Sequence, residues 1–324
     1  MAPWLLLSGS AIAGTLLTGA VTRVLRRRAI LDHPNERSSH AVPTPRGGGW
    51  GILLVLLPAW AALGVTPWIL AGVALLAAVS WLDDRHNLAP GPRLLVHAAA
   101  VAAGLAALGD EARVFQGWLP GGLDHLATGL CWLWFLNLFN FMDGIDGLAG
   151  SEAVSVAGGL ALVAAAGGVA TGLLEPALVV AGAAIGFLVW NWQPAKVFMG
   201  DVGSIPLGFA LGWLLFAAAA AGLWPAALLL PLYFVADASV TLLRRLIAGK
   251  PVLQAHREHF YQQAIQAGRR HAAVVRLVIA ANAALIALAL GVPALGWPVA
   301  VAGGALTVLA LILKLRSAVV LPSS

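Results

Sequence analysis

Long apolar runs rich in Ala, Leu and Val make up most of the chain, and short polar segments separate them. A helix needs about 20 mostly apolar residues to cross a bilayer, and the runs give about eleven such segments. Their approximate extents are 4–24, 48–65, 67–82, 93–109, 124–142, 152–170, 173–191, 204–221, 223–244, 272–291 and 296–313. The runs lack the period-two alternation of a membrane β-barrel. The pattern therefore predicts an all-α, polytopic integral membrane protein, with residues 1–324 forming a single transmembrane domain.

The composition supports this prediction. Hydrophobic residues make up 60% of the chain and charged residues 10%, with a mean hydropathy of +0.88. Soluble globular proteins carry about 25% charged residues, so a water-soluble fold is excluded. The single Cys131 lies within an apolar run, which leaves no disulfide framework and no cysteine-based metal site. The first run ends in arginines at 26–28 and not in a small-residue cleavage site, so we interpret it as a retained span.

The basic residues predict the orientation. With the N-terminus outside and the C-terminus inside, every Lys and Arg except Arg113 falls on the inner side. The cytoplasmic loops are then about 25–47, 83–92, 143–151, 192–203 and 245–271. The pI of about 10.1 does not indicate nucleic-acid binding, because the cations are spread over short loops and not along one face.

The first polar cluster on the predicted inner side covers residues 37–49. Arg37, His40 and Arg46 can grip phosphate oxygens, and the glycines at 47–49 let the backbone approach a ligand closely. The alternative, which composition alone favours, is a basic loop that contacts lipid headgroups.

Two adjacent carboxylates, Asp83 and Asp84, form the second cluster at the inner end of an apolar run. They repel each other, and placing them beside a membrane is costly unless a cation compensates. Mg²⁺ suits this place, because it prefers oxygen ligands and bridges carboxylates to phosphates. A solvated helix end paired with Arg85 explains the pair equally well.

The third cluster follows the fifth apolar run. Asn137, Asn140 and Asp143 are spaced by three and share one face if the helix continues through them. Glycines at 144 and 147 then end the helix and let Asp146 point into the same cavity. Packing explains such a polar stripe poorly, so we favour a functional interpretation.

The fourth cluster, residues 191–204, begins at Asn191 and precedes another apolar run. Ser204 is expected to cap that helix, and the free N–H groups at its start suit a phosphate. Asp201 lies between two glycines and can reach a metal. A simple capped turn is the alternative.

A basic loop near the C-terminus carries His256 and His259. No third ligand completes a zinc site, so contact with an anionic substrate, or a plain amphipathic surface helix, is the better interpretation. Asp237, in the preceding run, lies seven residues before Arg244 and is expected to form a structural pair with it.

Carboxylates that bind Mg²⁺, cations and glycine-rich turns are the parts that phosphoryl transfer uses. Here they cluster at one membrane face, where a lipid-bound phosphate would be presented. A transporter would place its ionisable residues near the bilayer midplane. The pattern therefore favours chemistry on a lipid headgroup, and a transporter or flippase of anionic lipid-linked substrates is the alternative from another class.

The chain resembles the WecA/MraY-like polyprenyl-phosphate N-acetylhexosamine-1-phosphate transferases, which form glycosyltransferase family 4. The resemblance covers most of the chain and rests on five motifs in order. They are Pro-Thr-Pro-Arg-Gly-Gly-Gly at 43–49, Asp83-Asp84, Asn140-X-X-Asp143-Gly-Ile-Asp146-Gly-Leu, Phe198-Met-Gly-Asp201-X-Gly-Ser204-X-X-Leu-Gly208, and His256-X-X-His259.

The resemblance implies transfer of a sugar 1-phosphate from a UDP-N-acetylhexosamine to undecaprenyl phosphate, with Mg²⁺ or Mn²⁺ as cofactor. It implies a multi-pass protein of the bacterial cytoplasmic membrane, surrounded by membrane lipids, with no nucleic-acid partner; a homodimer is left open. By the same resemblance, Asp83, Asp84, Asp143 and Asp146 are catalytic, Asp201 and Asp84 bind the metal, and Arg46, Arg93, Asn140, Asn191, His256 and His259 bind substrate. Direct attack by the lipid phosphate and a covalent aspartyl-phosphate route both remain open.

Two departures bear on the donor sugar. The branch that uses UDP-MurNAc-pentapeptide has three histidines before a Phe, whereas here Arg257 and Glu258 precede His259 and Phe260. That branch also has a Lys near the Asp pair, where this chain has Arg85. The departures favour UDP-GlcNAc or a 6-deoxy-HexNAc, as in O-antigen or capsule initiation, over the alternative of a phospho-MurNAc-pentapeptide transferase.

Overall fold

The structure, a computed structural model, describes residues 2–34, 42–86, 88–167, 172–251 and 256–317. The α-helices in those ranges are α1 (Pro3–Arg27), α2 (Gly49–Ala62), α3 (Pro67–His86), α4 (Pro90–Leu108), α5 (Gly121–Phe141), α6 (Leu148–Gly167), α7 (Leu174–Asn191), α8 (Asp201–Ala218), α9 (Trp224–Leu229), α10 (Leu232–Ile247), α11 (Phe260–Gln266), α12 (His271–Leu295) and α13 (Trp297–Arg316). Two short strands, β1 (Leu31–Asp32) and β2 (Thr44–Pro45), form an antiparallel pair. The predicted all-α polytopic class is confirmed, with this short hairpin added.

Eight helical stretches in the described ranges are long and apolar enough to cross a membrane. The apolar helix α2 has 14 residues and is shorter than a full span. The predicted run at 223–244 is divided, because α9 ends at Leu229 and α10 begins at Leu232, with Pro231 between them. Just before α9, Gly222 (φ 87°) interrupts the helical backbone within a π-helical turn. The count of eleven spans and the orientation therefore stay predictions.

The predicted cytoplasmic loops are too long at several ends, because polar residues lie in the end turns of helices. Asp83 and Asp84 belong to the last turn of α3, and α4 already begins at Pro90. The segments 148–151 and 260–266, predicted as loop, form the start of α6 and the whole of α11. Charge alone does not distinguish a helix end from a loop, and this caused the difference.

Helix α8 organises the bundle. It packs against α3 and α5 and buries nearly all of its side chains. Behind it, α1 and α7 approach until their backbones touch, since a Cβ added to Gly186 would lie 2.4 Å from the backbone nitrogen of Thr15. Small residues permit such close helix packing in membranes. The first turn of α8 consequently has a fixed place at one end of the bundle.

Candidate active site

The loop before α2 is bound to the loop before α8. Backbone amides at 47–49 donate to the carbonyls at 198–199, over 2.8 to 3.2 Å. The expectation that these glycines admit a ligand is wrong, because they admit another backbone. A Cβ added to Gly49 would lie 2.1 Å from the Cα of Gly203. This contact holds Arg46 beside the start of α8.

Gly49→Ala is therefore expected to lower the free energy of unfolding by about 1–3 kcal/mol, the usual range for overpacking a filled site. Gly158→Ala is the matched control, because a Cβ at that position in α6 meets nothing within 4 Å and alanine favours a helix. Thermal unfolding of both variants in one detergent measures the difference. Equal unfolding midpoints would contradict the close contact.

Asp84 closes the N-terminus of α8. Its Oδ2 accepts the N–H of Val202 (3.1 Å) and its Oδ1 accepts that of Asp201 (3.2 Å), where the helix dipole favours negative charge. The expected cap by Ser204 and the free amides for a phosphate are both wrong, because α8 begins at Asp201 and Asp84 occupies its first amides. Ser204 instead donates its hydroxyl hydrogen to Asn140 Oδ1 (2.6 Å).

Two arginines bridge three carboxylates in an alternating chain of ion pairs. Arg46 Nη2 lies 2.8 Å from Asp84 Oδ1 and 2.9 Å from Asp201 Oδ1. Arg93 Nη1 lies 2.7 Å from Asp83 Oδ2, and its Nη2 lies 3.5 Å from Asp201 Oδ2. Residues from the loop before α2 and from α3, α4 and α8 therefore meet at Asp201.

Arg85 forms no ion pair with Asp83 or Asp84, although such a pair is the alternative explanation for these two aspartates. Its guanidinium carbon lies 5.2 Å from the centre of the Trp81 ring. Their cationic partners come instead from positions 46 and 93, on other elements. The pair thus belongs to the site and not to a solvated helix end.

The predicted stripe at the end of α5 is divided, because the helix ends at Phe141. Asn137 Oδ1 lies 3.2 Å from Nδ1 of His97 on α4, and Asn140 contacts the first turn of α8. Asp143 lies in the turn beyond the helix. The expectation that all three side chains share one helical face is therefore wrong for Asp143.

The Asp143 carboxyl has no hydrogen bond or ion pair with any residue that the structure describes. Burial raises the pKa of this carboxyl well above its ordinary range, and the like charge of Asp201 adds to the rise while Arg46 opposes it. The side chain is half-buried, and ionising such a carboxyl next to other carboxylates is costly unless a cation binds. Asp143 is therefore the group in the site with the greatest need of a cation.

Asp146 and Asn191 hold neighbouring loops together. Asp146 Oδ2 accepts the N–H of Ala195 (3.0 Å), and its Oδ1 lies 3.3 Å from His271 Nδ1. Asn191 Oδ1 accepts the N–H of Gly147 (2.9 Å). Their catalytic and nucleotide-binding roles stay predictions. His271 was not singled out from the sequence, where a histidine opening an apolar run is only a weak signal.

His256 and His259 lie side by side before α11, with ring centres 4.9 Å apart. Burial lowers the pKa of His256 to about 4, so its ring is uncharged at neutral pH. The expected pair of Asp237 with Arg244 is wrong. Asp237 lies 3.2 Å from His259 Nδ1, whereas Arg244 lies over the ring of Phe260. Spacing within one helix could not reveal a partner on the next.

The predicted site residues gather at one end of the bundle in three adjoining groups. They are the ion-pair network of Arg46, Asp83, Asp84, Arg93 and Asp201 with Asn140 and Asp143 beside it, the loop contacts of Asp146 and Asn191, and the pair His256 and His259. The Tyr261 hydroxyl donates to the Phe141 carbonyl (3.1 Å), which joins the histidine group to the turn of Asp143. Arg37 and His40 lie outside the described residues.

The donor set suits Mg²⁺ in its usual protein environment. Among the described residues, no three His, Cys, Asp or Glu side chains form a ready metal cluster. Mg²⁺, however, commonly uses one or two carboxylates and completes its shell with water and substrate phosphates. Asp143, whose carboxyl has no partner among the described residues, and Asp201 supply two. The oxygens of Asp84, a predicted second ligand, already accept backbone amides and contact Arg46.

A helical bundle of membrane-spanning length, with carboxylates, guanidinium groups and histidines gathered at one end, is an integral membrane enzyme. Comparison with known sequences gives the family. Residues 66–219 match the sequence model of glycosyl transferase family 4, and the chain belongs to this family. The matched segment contains the aspartates of the site and excludes Arg46, His256 and His259.

Three relatives illustrate the range of the similarity. A Bacillus subtilis protein named as an undecaprenyl-phosphate N-acetylglucosaminyl 1-phosphate transferase is 26% identical, over 79% of this chain and 75% of its own length. A protein named as a glycosyltransferase in Streptomyces coelicolor is 32% identical, over 87% of this chain and 69% of its own length. A phospho-N-acetylmuramoyl-pentapeptide-transferase of Synechococcus elongatus is 34% identical, over 62% of this chain and 61% of its own length.

Proposed function

We propose that the protein transfers N-acetylhexosamine 1-phosphate from a UDP-sugar to undecaprenyl phosphate, releasing UMP. The observation that carries this proposal is the alternating network in which Arg46 and Arg93 converge on Asp201. Guanidinium groups bind phosphate oxygens in a fixed geometry, and carboxylates hold the metal that accompanies a diphosphate. The named activity of the Bacillus relative supports a polyprenyl phosphate as the acceptor.

In the proposed reaction an oxygen of the lipid phosphate attacks the β-phosphorus of the UDP-sugar. A new P–O–P bond forms, the bond from the β-phosphorus to the bridging oxygen breaks, and UMP leaves. Arg46 and Arg93 exchange carboxylate partners for diphosphate oxygens and stabilise the charge that develops there. Mg²⁺, or Mn²⁺, held by Asp201 and Asp143 would supply further charge neutralisation.

The donor that we propose is UDP-GlcNAc or a 6-deoxy-HexNAc, for initiation of O-antigen or another envelope polysaccharide. The three-histidine motif of the muropeptide branch is reduced here to His259, because Arg257 and Glu258 take the other places. Glu258 is engaged with Arg245 and Lys250, so a carboxylate held by two cations stands where that branch has a histidine. This favours a smaller donor than UDP-MurNAc-pentapeptide.

An apolar cavity of about 370 Å³ offers room for the acceptor lipid. It lies between α5, α8, α9 and α10, and its lining includes Cys131, Trp134, Phe216 and Val235. Trp134 also packs edge-on against Phe141, at the end of α5 next to the site. A polyprenyl tail whose phosphate lies near Asp143 can follow α5 into this cavity.

Cys131→Trp is expected to raise KM for undecaprenyl phosphate about tenfold, the effect of losing about 1.4 kcal/mol of binding, with KM for the UDP-sugar unchanged. Leu130→Trp, which alters the neighbouring exposed residue of α5 outside the cavity lining, should leave both constants unchanged. Initial rates at a fixed detergent-to-lipid ratio measure them. An equal effect of the two variants would argue against a tail in this cavity.

The experiment that tests the proposed function is UMP release by the purified protein in detergent, with undecaprenyl phosphate, Mg²⁺ and a panel of UDP-sugars. We expect release that requires both the lipid phosphate and the metal, with the preferred donor identified by the panel. Folded protein that releases no UMP with any donor would favour the alternative of a transporter or flippase.

A further inference from the structure

The carboxylate of Asp237 is bonded to five hydrogen-bond donors. The residue is fully buried in α10. Its carboxylate accepts hydrogen bonds from the hydroxyls of Tyr233 (3.0 Å) and Thr241 (3.3 Å), His259 Nδ1 (3.2 Å), and the backbone amides of Phe260 (3.0 Å) and Tyr261 (3.3 Å). Three of these donors belong to residues 259–261, at the start of α11. A buried carboxylate that accepts so many bonds fixes the place of that segment.

The contact with His259 also sets the state of its ring. The backbone amides of Phe260 and Tyr261 can only donate, and an ionised carboxylate can only accept. His259 Nδ1 must therefore carry the hydrogen that it shares with Asp237. In a neutral imidazole this leaves Nε2 without a hydrogen, as a hydrogen-bond acceptor.

Tyr261 links the His259 ring to the turn that carries Asp143. The His259 ring stacks on that of Tyr261, with centres 5.7 Å apart and planes 17° apart, and Tyr261 donates its hydroxyl hydrogen to the Phe141 carbonyl beside the turn of Asp143. No hydrogen bond of His259 Nε2 to a described residue is present. The side chain is only 4% exposed, so this nitrogen is left for a ligand that binds close to the turn of Asp143.

We infer that Asp237 is a positioning residue: it fixes His259 in the Nδ1–H tautomer, so that Nε2 accepts a hydrogen bond from a hydroxyl or amide N–H of the UDP-sugar. This inference rests on the proposed function. It assigns His259 to recognition of a donor group on the sugar nucleotide and not to neutralisation of phosphate charge. Partners that orient metal-binding histidines are worth about 10- to 100-fold in affinity or activity, and we expect an effect of that size for this histidine.

The test begins with Asp237→Asn, which keeps the shape of the side chain and one acceptor for the backbone amides. Its Nδ2 can donate to His259 Nδ1, which moves the ring hydrogen to Nε2. We expect KM for the UDP-sugar to rise about 10- to 100-fold, with a smaller change in kcat. Thr241→Val is the control, because it removes another donor to the same oxygen and leaves the histidine bond in place.

Two readouts separate positioning from general structural damage. ¹⁵N NMR of histidine-labelled protein, with the His259 signals assigned from His259→Gln, should show Nδ1–H in the full-length wild-type protein and in Thr241→Val. In a His259→Ala background, Asp237→Asn should raise KM no further, because residues that act as a unit are not additive. An Nε2–H or doubly protonated wild-type ring, or a full additional loss in the double variant, would overturn the inference.

The NMR measurement needs no turnover, so it also separates the inference from the proposed function. A wild-type Nδ1–H ring in a protein that releases no UMP would reject the proposed reaction and leave the positioning by Asp237 supported. If Asp237→Asn fails to fold, the wild-type tautomer and the Thr241→Val spectrum still decide the question.

Discussion

Asp201→Asn is expected to reduce UMP release about 10³-fold, because the transition-state charge stabilisation from a bound metal is worth several kcal/mol and each 1.4 kcal/mol is tenfold in rate. Asp201 contacts Arg46 at 2.9 Å and Arg93 at 3.5 Å. Loss of its charge therefore removes a metal ligand and releases both guanidinium groups from their common partner. The rate should not recover at high Mg²⁺, since the amide is a poor replacement for the carboxylate.

The fold should survive this substitution, because asparagine has nearly the same shape and Arg46 keeps its contact with Asp84 (2.8 Å). Binding of UMP to the variant, followed without Mg²⁺ by calorimetry, separates substrate binding from metal binding. Glu111→Gln, at a side chain that is 99% exposed, is the control for removing one carboxylate. A variant that keeps Mg²⁺-dependent turnover within tenfold of wild type would show that Asp201 is not the principal metal ligand.

The helices could be predicted from the sequence because their cause is local. Each apolar run must satisfy its own backbone hydrogen bonds in lipid, and so the runs at 4–24 and 173–191 correspond closely to α1 and α7. The break within 223–244 could also be predicted from the local sequence, because Pro231 has no backbone N–H to donate. The preceding break at Gly222 depends on a turn that the apolar pattern cannot show.

The site residues could be chosen from the sequence, but their partners could not. Asp84 caps a helix that begins 117 residues later, and no local pattern records such a distant contact. The sequence predicts that the glycines at 47–49 let the backbone approach a ligand, because it does not show that Gly203 will lie against them. Asp237 was assigned to its own helix for the same reason. Residue type predicted which side chains gather at one end of the bundle, while tertiary packing decided what each one contacts.

Asp143→Asn is expected to lower UMP release about as strongly as Asp201→Asn, by about 10³-fold, and to stabilise the protein when no metal is bound. The Asp143 carboxyl has no bonding partner among the described residues, so its replacement breaks no contact. Burial raises the pKa of this carboxyl well above its ordinary range, with the charge of Asp201 adding to the rise. Without metal, the half-buried carboxyl must therefore hold either a proton or an unfavourable charge in the folded state.

The sign of the pH dependence follows from linkage. A carboxyl whose pKa is raised on folding contributes stability that is complete below its ordinary pKa of about 4 and is lost as the pH rises through the raised value. Asparagine cannot ionise, so the Asp143→Asn variant loses no stability in this way as the pH rises. In EDTA, the unfolding temperature of Asp143→Asn should therefore exceed that of the wild type by a margin that grows between pH 5 and pH 8.

Mg²⁺ should reverse the order of the two unfolding temperatures, so that the wild type unfolds at a higher temperature than Asp143→Asn. A cation held by Asp143 offsets the buried charge and stabilises the wild-type protein by mass action, whereas Asp143→Asn gains less from the metal. Asp110→Asn, at an exposed position, should follow the wild-type curve in EDTA and in Mg²⁺. Unfolding curves of Asp143→Asn that match the wild type at every pH, with and without Mg²⁺, would remove Asp143 from the metal site and leave Asp201 as its only assigned carboxylate.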